Sequence, residues 1–301
     1  MKINKLSPSS YQKYTFCQWS WYISYILSIK DKAGKAAFLG SLFHDSMEKV
    51  TDLAIEKKYD EVKPEDIYEE NLEKLKIKEP EAFDKCKPAD LKDIRNKFLT
   101  YLINSTYSPM NKDRNIILSE QEFIIEMPGE KWKCKDGSQF KINGRIDRVD
   151  KLDINIYEVI DYKTGQRKDF NPAKMSSEKK TIHDLYHDIQ LLTYLHYGYK
   201  TFGKENKDPV IIATLDFIKD GGPYSVAFDQ LDRTRGLHMM HHRFKTIEEN
   251  DKPVRNRGWH CKHLCYYGNK TGICDKTHDD YVNYGLEFVE LTHKNLEPKV
   301  K

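Results

Sequence analysis

The sequence predicts an α/β fold: a helical segment, then a small mixed sheet with a crossover helix, then a cysteine-bearing closing segment. Three observations carry this expectation. From Pro64 to Ile103, Leu72, Leu75, Phe83, Leu91, Ile94, Phe98 and Leu102 form an apolar thread at helical spacing. From Asn115 to Met127 the chain alternates as a strand does (NIILSEQEFIIEM), and past an Asp136-Gly137 turn two further strands follow. A helical stretch, His183–Tyr199, then separates these strands from the buried-looking strand Val210–Phe217 (VIIATLDF), which reads as a crossover within one sheet.

The remaining elements fall into place around these. LSPSSYQKYTFCQWSWYISYIL reads as one capped helix, with Ser7 or Ser9 as the capping oxygen and Pro8 in the first turn. A second helix is expected over Gly40–Ala54. After Val210–Phe217 come a Gly-Gly-Pro turn at 221–223, a short edge strand Val226–Phe228, and a helix Leu231–Glu249 rich in histidine and arginine. The tail from Pro253 reads as irregular. One domain is expected over 1–301, with a helical part to about 110, a core over about 111–250 and a cysteine-bearing tail over about 251–280.

Composition sets bounds. The 301 residues are 39% hydrophobic, enough for a sizeable core, and 32% charged with a net charge of +3. A mildly basic chain permits a nucleic-acid partner without requiring one. No apolar run approaches the roughly 18 residues of a membrane span, and MKINKLSPSSYQKY has no apolar leader, so a cytoplasmic protein is expected. In a reducing compartment, clustered cysteines point to metal rather than disulfides.

The stretch richest in chemistry is GRIDRVDKLDINIYEVIDYKTG, Gly144 to Gly165. It reads as two strands, Ile142–Asp150 and Ile154–Tyr162, joined by a hairpin. Side chains alternate along a strand, so Asp161 and Lys163 share a face, and Asp147 meets them across the ladder. Buried and unpaired, two carboxylates and an ammonium are costly, and a divalent cation relieves that cost. Carboxylates with a backbone carbonyl suit Mg²⁺ or Mn²⁺. Asp-x-Lys alone is very common and by itself far more often marks a surface hairpin with a structural salt bridge. Glu158 lies on the opposite strand face and is left out of the metal set.

The full phrase G-R-I-D-R-V-D…V-I-D-Y-K-T-G closely resembles the core of the PD-(D/E)XK nuclease superfamily, in its RecB-like branch. The resemblance implies a restriction-endonuclease-like core, a small mixed sheet flanked by helices, and spans roughly residues 5–275. It implies a metal-dependent deoxyribonuclease, an exonuclease on single-stranded DNA or DNA ends, working in recombination, repair or CRISPR adaptation. Asp147, Asp161 and Lys163 take the catalytic positions. Asp147, Asp161 and the Tyr162 carbonyl bind Mg²⁺ or Mn²⁺. GSLFHDSME resembles the branch's Gly-x-x-x-His helix and makes His44 a further ligand, although a histidine on an amphipathic helix is by itself more often structural. HDIQLLTYLHYGY resembles the Gln-x-x-x-Tyr motif. Gln190 then positions Lys163 or the phosphate, and Tyr194 contacts the DNA backbone.

The tail WHCKHLCYYGNKTGICDKTH carries Cys261, Cys265 and Cys274, which need a fourth ligand for a closed site. The early Cys17, in LSPSSYQKYTFCQW, is the candidate. The pattern resembles the branch's iron–sulfur subset, which includes AddB nuclease domains and CRISPR-associated adaptation exonucleases, and it implies a [4Fe–4S] cluster tying the chain ends together. The spacing here is Cys-x3-Cys-x8-Cys, wider than the subset's Cys-x2-Cys-x5-Cys, and Gln18 replaces the proline that commonly follows the first cysteine. Zn²⁺ is the alternative, with His260, His263 or His278 as nitrogen ligands. Cys86 and Cys134 have no cysteine neighbour and read as bystanders.

DNA is the expected partner. Basic residues beside aromatics (Lys13–Tyr14, Lys131–Trp132–Lys133, Arg255–Trp259) suit phosphates and stacked bases. So does the helix bearing Arg233, Arg235, His238, His241, His242, Arg243 and Lys245, although such a face is usually just solvated. The sequence carries no G-x-x-x-x-G-K-[ST] loop, so unwinding or ATP use falls to a helicase, recombination or adaptation partner. A non-catalytic, nuclease-like DNA-binding subunit is the rival reading.

Overall fold

Prolines and one cysteine set where the early helices begin and end. The computed structural model describes residues 3–165, 185–204, 208–218, 222–259, 261 and 265–295. After a two-residue strand β1 (Lys5–Leu6), helix α1 (Pro8–Phe16) starts on Pro8, with Ser7 Oγ accepting from Ser10 N at 3.2 Å. The single N-terminal helix expected from the sequence is two. Cys17 is extended (φ −160°, ψ 108°), breaks the helix, and caps α2 (Gln18–Tyr25) by accepting from Ser20 N. Helix α3 (Lys35–Ile55) is longer than expected because Ala36 and Ala37 extend it at little cost. The 64–103 stretch is likewise broken, into α4 (Pro64–Lys78), α5 (Pro80–Phe83) and α6 (Pro88–Asn104). A proline has no N–H to continue a helix and is accepted only in a first turn.

The strands are β2 (Ile116–Glu126), β3 (Lys141–Asp153), β4 (Ile156–Lys163), β5 (Val210–Phe217) and β6 (Gly222–Phe228). They form a six-stranded mixed sheet in the order β1-β3-β4-β5-β6, with β2 also paired to β3. β3 and β4 are antiparallel, with Arg148 opposite Ile160, and β4 and β5 are parallel, with Lys163 opposite Phe217. The crossover between β4 and β5 contains α7 (Ile189–Phe202), capped by Asp188, whose carboxylate accepts from Gln190 N (2.8 Å) and Leu191 N (3.0 Å). β4 is buried from Tyr157 to Tyr162 on both faces, as a strand with a parallel neighbour in mid-sheet should be. The expected helix start at His183 and the turn residue Gly221 lie outside the described residues.

The tail corrects the sequence reading. Instead of remaining irregular beyond Pro253, it forms α9 (Ile273–His293), kinked at Gly285 (φ 86°), after α8 (Gln230–Glu249). Cys274, Thr277, Val289 and His293 supply its buried stripe, too sparse to signal a helix against so many charges. None of the helices among the described residues is long and apolar enough to cross a membrane.

The chain divides into two compact units. One gathers Met1–Lys32, Ile125–Asn143 and His241–Lys301; the other gathers Ala33–Ile124 and Gly144–Met240. In the first, Trp132 is buried and stacks on Phe140 at 5.7 Å, and Tyr14 is buried and bonded to Asn250. Neither can stack on a base, contrary to the expectation for those basic–aromatic pairs. In the second, Phe38, Leu42, Phe43, Met47 and Val50 of α3 pack with Ile94, Phe98, Tyr101 and Leu102 of α6 against Ile160 and Tyr162. This stripe holds one face of β4.

Beneath β4 in this unit lies a buried charge network. Arg148 is fully buried and forks onto Asp150 (2.6 and 2.7 Å), and also donates to the Tyr162 hydroxyl (3.2 Å) and the Tyr107 carbonyl (2.7 Å). Arg114 pairs with Asp150 and, at 2.5 Å, with Glu158. Glu158 also accepts from Tyr107 (2.8 Å) and Thr214 (2.6 Å), which keeps it on the far face from Asp161. Every arm of Arg148 is satisfied, so truncating it leaves the buried Asp150 with Arg114 as its one guanidinium partner and frees the Tyr107 carbonyl. Arg148→Met is expected to cost about 3–5 kcal/mol of unfolding free energy. Urea titration checks this; a loss below about 1 kcal/mol would show that the network contributes little.

Candidate active site and metal centre

Strand alternation delivers the site. Asp161 and Lys163 leave β4 on one face, while Tyr162 between them turns to the other, packing edge-on to Tyr101 at 5.8 Å. On β3, Asp147 adjoins the Arg148–Ile160 pair, and its Oδ2 accepts from Tyr162 N at 2.7 Å. Lys163 Nζ pairs with Asp161 Oδ2 and donates to Gln190 Oε1 at 2.8 Å. Gln190 Nε2 donates to Asp161 Oδ1 at 2.5 Å, and the Tyr194 hydroxyl donates to the same oxygen at 2.6 Å. Gln190 and Tyr194, one turn apart on α7, therefore form a strut that fixes both the acid and the lysine. Tyr194 is 1% exposed with its hydroxyl engaged, so it braces Asp161 and cannot reach DNA as the sequence reading expected.

Phe43 sits in the apolar stripe of α3, and the next residue, His44, is turned toward the strands. Its Nδ1 lies 3.2 Å from Asp147 Oδ2 and 3.8 Å from Glu120 Oε1. His44, Glu120 and Asp147 form the one group of three metal-ligating side chains among the described residues whose donor atoms lie within 4.8 Å of one another. One imidazole and two carboxylates suit a divalent cation with a preference for oxygen and nitrogen. Asp161 lies outside that tight group, its oxygens taken by Lys163, Gln190 and Tyr194.

Glu120 was not singled out from the sequence. It sits in β2 with φ 42°, the one positive-φ residue inside a strand among the described residues, and its side chain is 4% exposed. The inward-facing set of β2 shifts there, from Ile116 and Leu118 to Phe123 and Ile125, as a bulge requires. A left-handed non-glycine costs about 1 kcal/mol or more and persists where its side chain is needed. The signal was present in NIILSEQEFII: Leu118 and Phe123 are an odd number apart, so a regular strand cannot turn both inward. Gly144, which opens the motif, is also explained here, since a Cβ on it would meet the Phe123 ring at 2.8 Å.

Electrostatics follow from this crowding. Burial opposes a charged imidazole, but Asp147, Glu120 and Asp161 outweigh it and push His44 up to about 10. Burial raises Asp161, opposed by Lys163 and reinforced by Asp147. Burial depresses Lys163, but Asp161 overrides it and the net shift is upward, so Lys163 is a cation at neutral pH. Since the folded His44 value exceeds the unfolded 6.5, its stabilising contribution is complete below about pH 6.5 and disappears as pH rises through about 10. A cation that takes the His44 nitrogen must displace that proton. Mn²⁺ binding is therefore expected to release about one proton per ion between about pH 7 and 10, and to tighten about tenfold per pH unit. Calorimetry in buffers of different ionisation enthalpy measures this; a pH-independent affinity would exclude His44 as a ligand.

A model of the PD-(D/E)XK nuclease superfamily matches residues 5–269. The chain belongs to the PD-(D/E)XK nuclease superfamily. Among curated proteins it is 28% identical over 182 residues to one of the subunits of an ATP-dependent helicase/deoxyribonuclease of Clostridium perfringens, covering 54% of this chain and 16% of that protein. The counterpart from Clostridium novyi is 28% identical over 213 residues, covering 63% and 17%. The chain thus spans about a sixth of the length of these relatives. In fold it resembles a crystal structure from Eubacterium rectale described as a candidate exonuclease, at 14% identity and a TM-score of 0.52, over 87% of this chain and 88% of that one. PD-(D/E)XK nucleases use divalent metals, and the His44–Glu120–Asp147 group offers this chain a place for one.

Cys17, Cys261, Cys265 and Cys274 all belong to the other unit of this PD-(D/E)XK chain. The Cys265 thiol is raised by burial, with Cys17 and Cys261 adding to the shift while the N–H groups of Gly268 and Tyr267 oppose it. Burial pushes Cys274 up to about 12, with Arg255 opposing and Cys265 and Cys17 adding. A Cβ at Gly268 would meet the Cys261 carbonyl at 2.4 Å, so only glycine lets this loop close. No three of the sulfurs lie within 4.8 Å of one another among the described residues. His278 packs edge-on to Trp19 at 5.2 Å, whereas His260 and His263 lie outside the described residues. Cys86 belongs to the second unit, where its thiol donates to the Ala82 carbonyl.

Proposed function

We propose that the chain is a metal-dependent deoxyribonuclease, an exonuclease acting on single-stranded DNA or DNA ends. The convergence of Asp147, Asp161 and Lys163 on one strand face, beside His44 and Glu120, carries this reading. His44, Asp147 and Glu120 hold Mg²⁺ or Mn²⁺, with Asp161 and the Tyr162 carbonyl as further ligands. Such an ion, when bound, polarises a phosphodiester and acidifies a water molecule. Lys163, a cation held by Asp161 and Gln190, offsets negative charge growing on the phosphate oxygens rather than removing a proton from water. Gln190 and Tyr194 keep Asp161 and Lys163 in register.

Cys17, Cys261, Cys265 and Cys274 hold a [4Fe–4S] cluster. Two backbone N–H groups directed at Cys265 suit the sulfur charge of such a cluster. We read both units as one nuclease domain, its chain ends joined by this cluster in a reducing, cytoplasmic setting. The names of the clostridial relatives, subunits of ATP-dependent helicase/deoxyribonucleases, favour a helicase partner.

End-labelled single- and double-stranded DNA, incubated with and without Mg²⁺ or Mn²⁺, tests the activity. Shortening from labelled ends only with metal is expected. Binding without cleavage would favour a non-catalytic DNA-binding subunit.

A further inference from the structure

Arg145 lies two residues before Asp147 on β3 and so shares its face. Its Nε pairs with Glu120 Oε2 at 2.5 Å, and its Nη2 donates to Glu48 Oε2 at 3.3 Å. Glu48 is one helical turn beyond His44 on α3. A single guanidinium thus joins β2, β3 and α3 around the acids. Three cations touch this cluster, and they differ in access. His44 is held against Asp147 and Glu120 with 28% of its side chain exposed, and Lys163 against Asp161 and Gln190 with 30% exposed. Arg145 is 48% exposed, while the Glu120 and Asp147 carboxylates behind it are 4% and 9% exposed. An anion arriving from solvent meets the arginine first.

The exposed contact to Glu48 is worth at most about 1 kcal/mol, and the contact to the buried Glu120 uses Nε, so neither accounts for the rest of the guanidinium fork. Its chemistry suits a different task. Guanidinium carries five N–H donors in a planar fork that matches two phosphate oxygens, and the contacts to Glu120 and Glu48 engage only Nε and Nη2. Carboxylates this close repel a phosphodiester, and a positive group at the rim offsets that repulsion. Burial raises Glu120 and Asp147 adds to the shift, with His44 and Arg145 as the opposing cations. A metal ion held by Glu120 would take over that compensation and weaken the carboxylate's hold on the arginine.

We propose that Arg145 grips a non-bridging oxygen of the DNA phosphate delivered to the His44–Glu120–Asp147 site. The proposal rests on reading that site as a phosphodiesterase. It makes Arg145 a substrate-binding residue, with Glu48 and Glu120 holding the fork in place before DNA arrives.

Arg145→Ala and Arg145→Lys test it in the full chain. Mn²⁺ binding is followed by electron paramagnetic resonance without DNA. Binding of a single-stranded oligonucleotide is followed in Ca²⁺ over a range of salt, with and without a neutral methylphosphonate at the linkage in the site. For Arg145→Ala, Mn²⁺ affinity is expected within about threefold of wild type, DNA affinity down about tenfold or more, and the salt slope shallower by roughly one ion. Arg145→Lys keeps the salt slope and recovers part of the affinity. The methylphosphonate weakens wild type and leaves Arg145→Ala unchanged, the coupling a direct contact requires. Wild-type DNA affinity in Arg145→Ala overturns the proposal. So does a loss of Mn²⁺ binding as large as that of Asp147→Ala, because Arg145 would then serve Glu120 alone. A wild-type chain that binds neither Mn²⁺ nor DNA overturns the nuclease reading together with it.

Discussion

Lys163→Ala is expected to lower the rate of DNA cleavage by about 10³-fold or more while leaving the fold intact. Removing one preorganised donor from a transition state typically costs 10²–10³-fold, and Lys163 also sets the charge of Asp161. The fold should survive because Asp161 keeps its bonds from Gln190 and Tyr194, and because the lysine side chain is 30% exposed rather than sealed in the core. Metal binding separates the two roles of this corner. The His44–Glu120–Asp147 group does not include the lysine, so Lys163→Ala should retain Mn²⁺ affinity within a fewfold, whereas Asp147→Ala should lose it. The checks are cleavage kinetics, a thermal melt within a few degrees of wild type, and Mn²⁺ titration. Cleavage within tenfold of wild type in Lys163→Ala would remove the lysine from the reaction and, with it, the main chemical argument for this site.

The second large effect is expected at the cysteines. On the cluster proposed above, Cys274→Ala and Cys17→Ala should each remove the broad visible absorption such a centre gives and lower the melting temperature by about 10 °C or more. The reason is linkage: a metal centre absent from the unfolded chain contributes its binding free energy to folding. Without metal, burial keeps the Cys265 and Cys274 thiols protonated at neutral pH, so the unit loses the ligand bonds and keeps only the packing of neutral thiols. Cys86→Ser is the control, since its thiol bonds the Ala82 carbonyl and packs at the edge of the other unit's core. Iron content and visible spectra decide the identity of the centre. Stoichiometric zinc in a colourless wild-type protein would replace the cluster with a zinc site, and colourless protein with no metal would leave no centre there.

Both effects trace to residues that strand parity and cysteine clustering had already singled out. Asp147, Asp161 and Lys163 share a face because alternate side chains of a strand must, and β3 and β4 pair as the hairpin phrase implied. Gln190 and Tyr194 meet the site because residues four apart on a helix share a face. Partnership was less legible than position. Tyr194 looked like a contact for DNA, yet it is a buried brace, because the depth at which α7 packs on the sheet is set by side chains far from it in sequence. Glu120 was missed because a bulge turns it inward, although the broken alternation between Leu118 and Phe123 recorded that bulge. The joint at Cys17 was hidden inside an otherwise helical pattern, since a cysteine gives no local stop signal comparable to the prolines that open α1, α4, α5 and α6.

By itself, then, the sequence determined the α/β class, the pairing of the hairpin strands, and the shared face of Asp147, Asp161 and Lys163, since these follow from local periodicity and covalent reach; His44 came only from a motif resemblance. Only tertiary structure decided that a strained glutamate joins His44 and Asp147, that Arg145 stands at the solvent edge of that group, and that Tyr194 faces inward. Such outcomes depend on how deeply elements pack and on what compensates a buried charge, and those are properties of residues distant along the chain brought together by the common core.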